Sequence, residues 1–202
     1  MIFLPDEKQP KPYYVDKHRF VGEFDIPDGL VDITDPCYDR TTWCAKNDFH
    51  IKPGKYKCYV FTAEFPTKVR YEKTDTEVIT GKKRVMQVGT LHDRRIVTLI
   101  IEHVNIKESP KKDDKNIWEE VSTAIGVDAG MCGFYNHKPE FNDNNTWTNF
   151  WENAKHLPGY RWLTCDIKPY GVTVSSGFGD GMYPLYAYKE NDEIVALKLE
   201  FC

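Results

Sequence analysis

The chain has 202 residues, of which 41% are apolar and 29% charged, with a formal net charge of -4. That is the composition of a soluble globular protein with one sizeable core. It lacks the basic surplus of a DNA- or RNA-binding protein and any apolar run long enough to cross a membrane.

In chain order, residues 1–12 are polar and proline-bearing and read as a flexible lead-in. Their apolar start is too short for a signal peptide, which implies a cytoplasmic protein. Residues 13–202 read as a single β-rich domain. Candidate strands are 19–24, 30–34, 56–64, 68–72, 85–88, 96–104, 124–127, 131–135, 162–167, 171–175, 183–189 and 194–201. Several alternate apolar with polar residues, as half-buried strands do. In the last run, Val195, Leu197, Leu199 and Phe201 share one face. Asn191-Asp192 marks a hairpin turn before it, and Pro53-Gly54 marks another turn. Residues 39–45 carry a short helical turn. One clear helix is predicted over 146–157, where Trp147, Phe150, Trp151 and Ala154 recur at helical spacing. Asn145 or Thr146 caps it and Pro158-Gly159 stops it. The charged stretch 107–116 reads as a long hairpin connection, with a boundary between two lobes as the alternative. The fold class is therefore mainly β: a barrel or a two-sheet sandwich with one helix and short helical turns.

The six cysteines are scattered, without the close pairs of a zinc site, and read as free thiols. Cys37, Cys132 and His137 lie near the motifs discussed next, but small buried thiols explain the two cysteines better than a nucleophile does.

Three loops carry a shared pattern: a carboxylate at a strand end beside a residue of special backbone geometry. They are Asp35-Pro36-Cys37-Tyr38, Asp128-Ala129-Gly130 and Ser175-Ser176-Gly177-Phe178-Gly179-Asp180-Gly181. If they converge, the three aspartates can hold a divalent cation through oxygen ligands, or two can divide acid and base roles. Each aspartate also has a plain structural explanation, because Asp forms turns by accepting local N–H groups. The glycine loop is neither a nucleophile elbow, a Walker A loop nor a Rossmann turn, since strands flank it on both sides. It fits a backbone nest facing an anion or polar edge, or simply a hairpin loop. A weak echo links residues 31–39 to 127–136, read as either coincidence or duplication.

Val127-Asp128-Ala129-Gly130, then Ser176-Gly177-x-Gly179-Asp180-Gly181-x-Tyr183-Pro184-x-Tyr186, then a strand ending at Phe201, resemble the domain of unknown function 4241 family (DUF4241). Asp35-Pro36-Cys37-Tyr38 resembles an upstream motif of similar bacterial and phage proteins. This chain departs by Ala129 where serine is common. The resemblance implies a bacterial or phage origin and a cytosolic β-rich domain, and it brings no established reaction.

The expected function is binding of a small, anionic, nucleotide-like ligand, with a phage-encoded protein that sequesters a host immune signal as its biological form. Its ligand-binding residues would be Asp35, Tyr38, Asp128, Gly130, Ser175, Ser176, Gly177, Gly179, Asp180 and Tyr183. No cofactor or nucleic-acid partner is expected, with a divalent cation left as an option. The alternatives are a hydrolase of a phosphodiester or glycosidic bond using these carboxylates, and an immunity- or inhibitor-type protein-binding module.

Overall fold

The computed structural model describes residues 2–3, 14–15, 19–39, 41–73, 85–136 and 165–201. Thirteen strands are described: β1 Ile2–Phe3, β2 Tyr14–Val15, β3 Arg19–Ile26, β4 Leu30–Thr34, β5 Lys46–His50, β6 Gly54–Lys73, β7 Val85–His103, β8 Glu119–Val127, β9 Met131–Tyr135, β10 Cys165–Lys168, β11 Gly171–Ser175, β12 Gly181–Glu190 and β13 Glu193–Glu200. They form two antiparallel sheets. The larger runs β1-β6-β7-β13-β12-β8, with β2 and β3 also pairing with β6. The smaller runs β10-β11-β9-β4-β5. Neither set of described strands closes on itself, so the barrel alternative is not realised. Among the described residues no helix forms, and the expected helix at 146–157 lies outside them.

One core is shared by both sheets. Phe24, Tyr56, Val60, Leu99, Ile101, Ile125, Leu185 and Leu197 from the larger sheet pack with Val31, Ile33, Phe134, Val172 and Val174 from the smaller. Alternation along β4 and β11 places these apolar residues on one face each.

The ribbon of β6 and β7 is longer than the sequence suggests. Two pairs of short runs are each one continuous strand, paired from Tyr56↔His103 to Lys73↔Val85. Pro66 interrupts the apolar pattern of β6 without breaking the strand. On the far side of β6 it falls between the positions that β2 and β1 occupy, opposite Ala63 and Val69. The C-terminal hairpin is as expected, and Asn191 and Asp192 both have positive φ, 50° and 66°, as a two-residue type I′ turn requires. A bulge at Tyr188/Lys189 alters the face pattern of β13. Leu197, Leu199 and Phe201 join the shared core as expected, while Ile194 rather than Val195 packs against it.

Residues 104–118 do not link neighbouring strands. They leave β7 and reach β8 by crossing β13 and β12, over the face opposite the shared core. Trp118, Ile106 and Ile117 anchor this crossing on Ile100, Ala196, Tyr186 and Tyr188. Lys198, 4% exposed, rises from β13 to donate to the Lys112 carbonyl at 3.1 Å and to Glu200 at 2.9 Å, and it lies over the Trp118 and Tyr186 rings.

Among the described residues the chain passes between the sheets four times, and the passages pair up at two seams. At one seam, residues 27–29 and 51–53 meet through the Ile51 N–H and the Gly29 carbonyl, 2.9 Å apart. Gly29 has φ 73°, and a Cβ there would press on the Ile51 carbonyl and the Pro53 ring. The other seam, at the opposite end of β4, joins residues 128–130 to 176–180 and contains all three motif loops.

Candidate functional site: a latched corner of three loops

Asp35 follows the last residue of β4 and is fully buried. Its Oδ1 accepts the Cys37 N–H at 2.8 Å. Its Oδ2 accepts the N–H groups of Asp128, at 2.9 Å, and Ala129, at 2.6 Å. The carboxylate therefore turns its own loop and fastens it to the loop after β8. Burial pushes this carboxyl above the ordinary aspartate range. The three N–H donors oppose that shift and the nearby Asp128 charge adds to it. The Tyr38 N–H closes the turn on the Asp35 carbonyl.

The second loop is fastened in turn to the third. The Gly130 carbonyl accepts the Ser176 N–H at 3.1 Å. Gly130, at φ 67°, turns the chain into β9, and the nearest atom to a Cβ built there is the Gly179 Cα. Inside the third loop the Ser176 hydroxyl donates to the Gly179 carbonyl at 2.8 Å. The Tyr183 hydroxyl, reaching back from β12, donates to the same carbonyl at 2.7 Å. Gly177 and Gly179 have φ 52° and 106°, which a side chain would disfavour. Arg95 of β7 donates to the Gly177 carbonyl at 2.9 Å, and its guanidinium lies 4.3 Å from the Phe178 ring centroid. Phe178 also meets Phe65 edge-on.

The structure thus brings Asp35, Asp128, Gly130, Ser176, Gly179 and Tyr183 together as one hydrogen-bonded latch. The Asp128 charge lies near Asp35, but the three carboxylates do not share one environment. Asp35 points into the protein, whereas Asp128 and Asp180 are exposed. Among the described residues no three His, Cys, Asp or Glu side chains stand where they can hold a metal ion. The echo between residues 31–39 and 127–136 does not correspond in space either. Asp32 sits inside β4 opposite Tyr135, with its Oδ1 accepting the Asp48 N–H, while Asp128 comes after the end of β8. Ser175 and Gly177 are buried and Tyr38 is half-buried. Burial, with the Cys44 thiol next, pushes the Tyr38 phenol upward. Burial raises the Cys132 thiol as well, with the Asp35 charge adding to it, so Cys132 is a core thiol and not a nucleophile.

Beside the latch, Asp39 and residues 41–45 make two successive turn bonds, Thr42 N–H to Asp39 and Ala45 N–H to Thr42. Among the described strands β8 ends the larger sheet, and this segment docks along it, with the Gly126 N–H on the Cys44 carbonyl at 3.0 Å and Lys46 Nζ, at the start of β5, on the Val121 carbonyl at 3.3 Å. A Cβ at Gly126 would collide with the Cys44 thiol and approach the Met182 sulfur, so Cys44 and Met182 meet above that glycine. This docking leaves Trp43 81% exposed and Met182 46% exposed. Asp39 and Asp128 are exposed beside them. Neither Trp43 nor the Arg95–Phe178 stack stands out in sequence. Arg94-Arg95 reads there as a solvated strand end rather than a basic patch, and Trp43 has no apolar period around it.

No curated protein and no solved structure matches the chain. A family model described as "Protein of unknown function (DUF4241)" matches residues 24–199, from β3 through nearly all of β13, and takes in both seams and all three motif loops. On that match the chain belongs to the DUF4241 family.

Proposed function

We propose that this protein is a protein-binding module that engages its partner through the exposed surface beside the latch. The observation that carries this reading is Trp43, 81% exposed on a turn held firmly to β8. A tryptophan left largely in water on a braced turn is a typical anchor of an interface. Met182 supplies further apolar area, and Asp39 and Asp128 supply an acidic rim, which favours a partner with a basic edge.

The same features weigh against an anionic nucleotide-like ligand. The Asp35 carboxylate and the Ser176 and Tyr183 hydroxyls already serve the latch. Asp128 and Asp180 would repel a phosphate brought to the glycine loop. A hydrolase needs a carboxylate that can reach its substrate, and Asp35 is buried and turned inward.

A photoreactive phenylalanine placed at exposed Thr41, two residues before Trp43, tests the proposal in cells that naturally make the protein. Illumination should give one discrete protein adduct, lost when Trp43→Ala is added and absent when the probe sits at exposed Lys115. Absence of an adduct, or an adduct indifferent to Trp43→Ala, refutes the interface. A rise in melting temperature with a nucleotide would return the corner to the small-ligand reading.

A further inference from the structure

Away from the latch, the crossing of residues 104–118 leaves an open pocket of about 220 Å³ lined by Glu108, Ser109, Pro110, Lys111, Asp114, Ile117 and Tyr188. The surrounding chain is well tied down. The Lys107 N–H donates to Glu190, the Ser109 hydroxyl to Glu102, and the Trp118 indole to the Lys111 carbonyl. Asp114 accepts the Asn116 N–H and fixes its own turn. Tyr188 and Ile117 supply the aromatic and aliphatic lining, and Glu108 and Asp114 bring two carboxylates against the one ammonium of Lys111. Burial pushes the Tyr188 phenol upward, and the Glu190 and Glu108 charges add to it, so those carboxylates stand near the ring.

This face of the sheet already pairs cations with rings, Lys198 with Trp118 and Tyr186 and Lys112 with Phe61. Among the described residues the Tyr188 ring has no such cation, and Glu108 has no ion pair.

We propose that this pocket binds an organic monocation, an ammonium or guanidinium on an aliphatic stem. The stem would lie along Ile117 and Pro110, the charge over Tyr188, and the carboxylates of Glu108 and Asp114 would balance it. The chemistry is the same whether the cation is a free amine or a lysine or arginine side chain.

Titration of the full chain with n-butylguanidinium and n-butylammonium at low salt, followed by NMR at Ile117 and Tyr188, tests this. The shifts should saturate, weaken as salt rises, and be absent with n-butanol. Glu108→Gln, which removes an exposed and unbonded carboxylate, should weaken binding about 3- to 10-fold, and Lys111→Ala, which removes the competing ammonium, should tighten it about 2-fold. Tighter binding of a short arginine peptide than of free n-butylguanidinium assigns the site to a protein side chain, and equal binding assigns it to a small amine. Shifts that do not saturate, that n-butanol reproduces, or that Glu108→Gln leaves unchanged overturn the proposal.

Discussion

Replacing Asp35 by alanine tests whether the motif carboxylate is a latch or a ligand. The substitution removes acceptors for three backbone N–H groups, at 2.6 to 2.9 Å. Hydrogen bonds to a charged group contribute about 1.5–3 kcal/mol each, so the gross loss is about 4–9 kcal/mol. Two effects reduce it. Removing a buried charge relieves a desolvation penalty of several kcal/mol, and Cys37 and Asp128 are exposed enough for water to reach their freed N–H groups. A net loss of about 3 kcal/mol remains, and for a chain of this size that lowers the melting temperature by about 6–12 °C. Asp128→Asn and Asp180→Asn change exposed side chains and should each stay within about 0.5 kcal/mol of wild type. Thermal unfolding by circular dichroism, with urea melts for free energies, measures all three. If Asp35→Ala melts within about 2 °C of wild type, or no lower than the Asp128 variant, the latch argument fails.

Other outcomes follow from neighbouring contacts. Tyr183→Phe removes the hydroxyl that donates to the Gly179 carbonyl and should lower stability by about 1 kcal/mol in urea melts. Gly126→Ala drives a methyl into the Cys44 side chain. It should cost about 1–3 kcal/mol and speed amide exchange across residues 41–45, read by NMR. A thiol reagent on the native protein should label exposed Cys37 well before the buried Cys44, Cys58 and Cys132, whose relative rates mass spectrometry resolves. The Asp35 carboxyl, raised by burial, binds its proton more tightly folded than unfolded. Its contribution is therefore full below the unfolded value, about 3.9, and declines as pH rises through the folded one. The urea midpoint of wild type relative to Asp35→Asn should be higher near pH 4 than near pH 7, and the opposite slope would contradict that sign.

Where turn chemistry bounds a run, the sequence makes the element plain. β4, β9 and β11 keep their expected bounds, since Gly29, Asp35, Gly130, Tyr135 and Gly171 mark them or their neighbours. β5 is invisible because Lys46-Asn47-Asp48-Phe49-His50 never alternates cleanly and, among the described strands, ends the smaller sheet beside β4. The β6–β7 ribbon looks fragmented because Pro66 and Gly89 signal breaks that its pairing absorbs. The crossing at 104–118 reads as a plain loop because its charges outnumber its anchors. Trp118, Ile106 and Ile117 are the signal that such a loop is held down. At the corner, aspartate and glycine mark three turns in the sequence but leave open whether the loops meet. They also leave open the direction of the Asp35 side chain. A carboxylate that accepts N–H groups looks the same in sequence whether those groups belong to a ligand or to the next loop, and only the placement of residues 128–129 decides between them.

The position of the latch explains why aspartate and glycine gather there. A two-sheet chain that changes sheets four times must hold each pair of crossings together, because crossing segments leave the ladders that satisfy their backbone. At the first seam a backbone bond and the shape of Gly29 do this. At the second, three loops meet, and a buried carboxylate, a serine and a tyrosine supply the missing partners. Glycines are needed where the chain reverses at positive φ. The Asp-Ala-Gly and Gly-Asp-Gly-x-Tyr segments therefore hold this seam together. On the proposed function, a partner meets the side chains left outward beside the latch, Trp43, Met182, Asp128 and Asp180. Exchanging those residues should redirect binding while the melting temperature holds, whereas changes to Asp35, Ser176 or Tyr183 should lower both together.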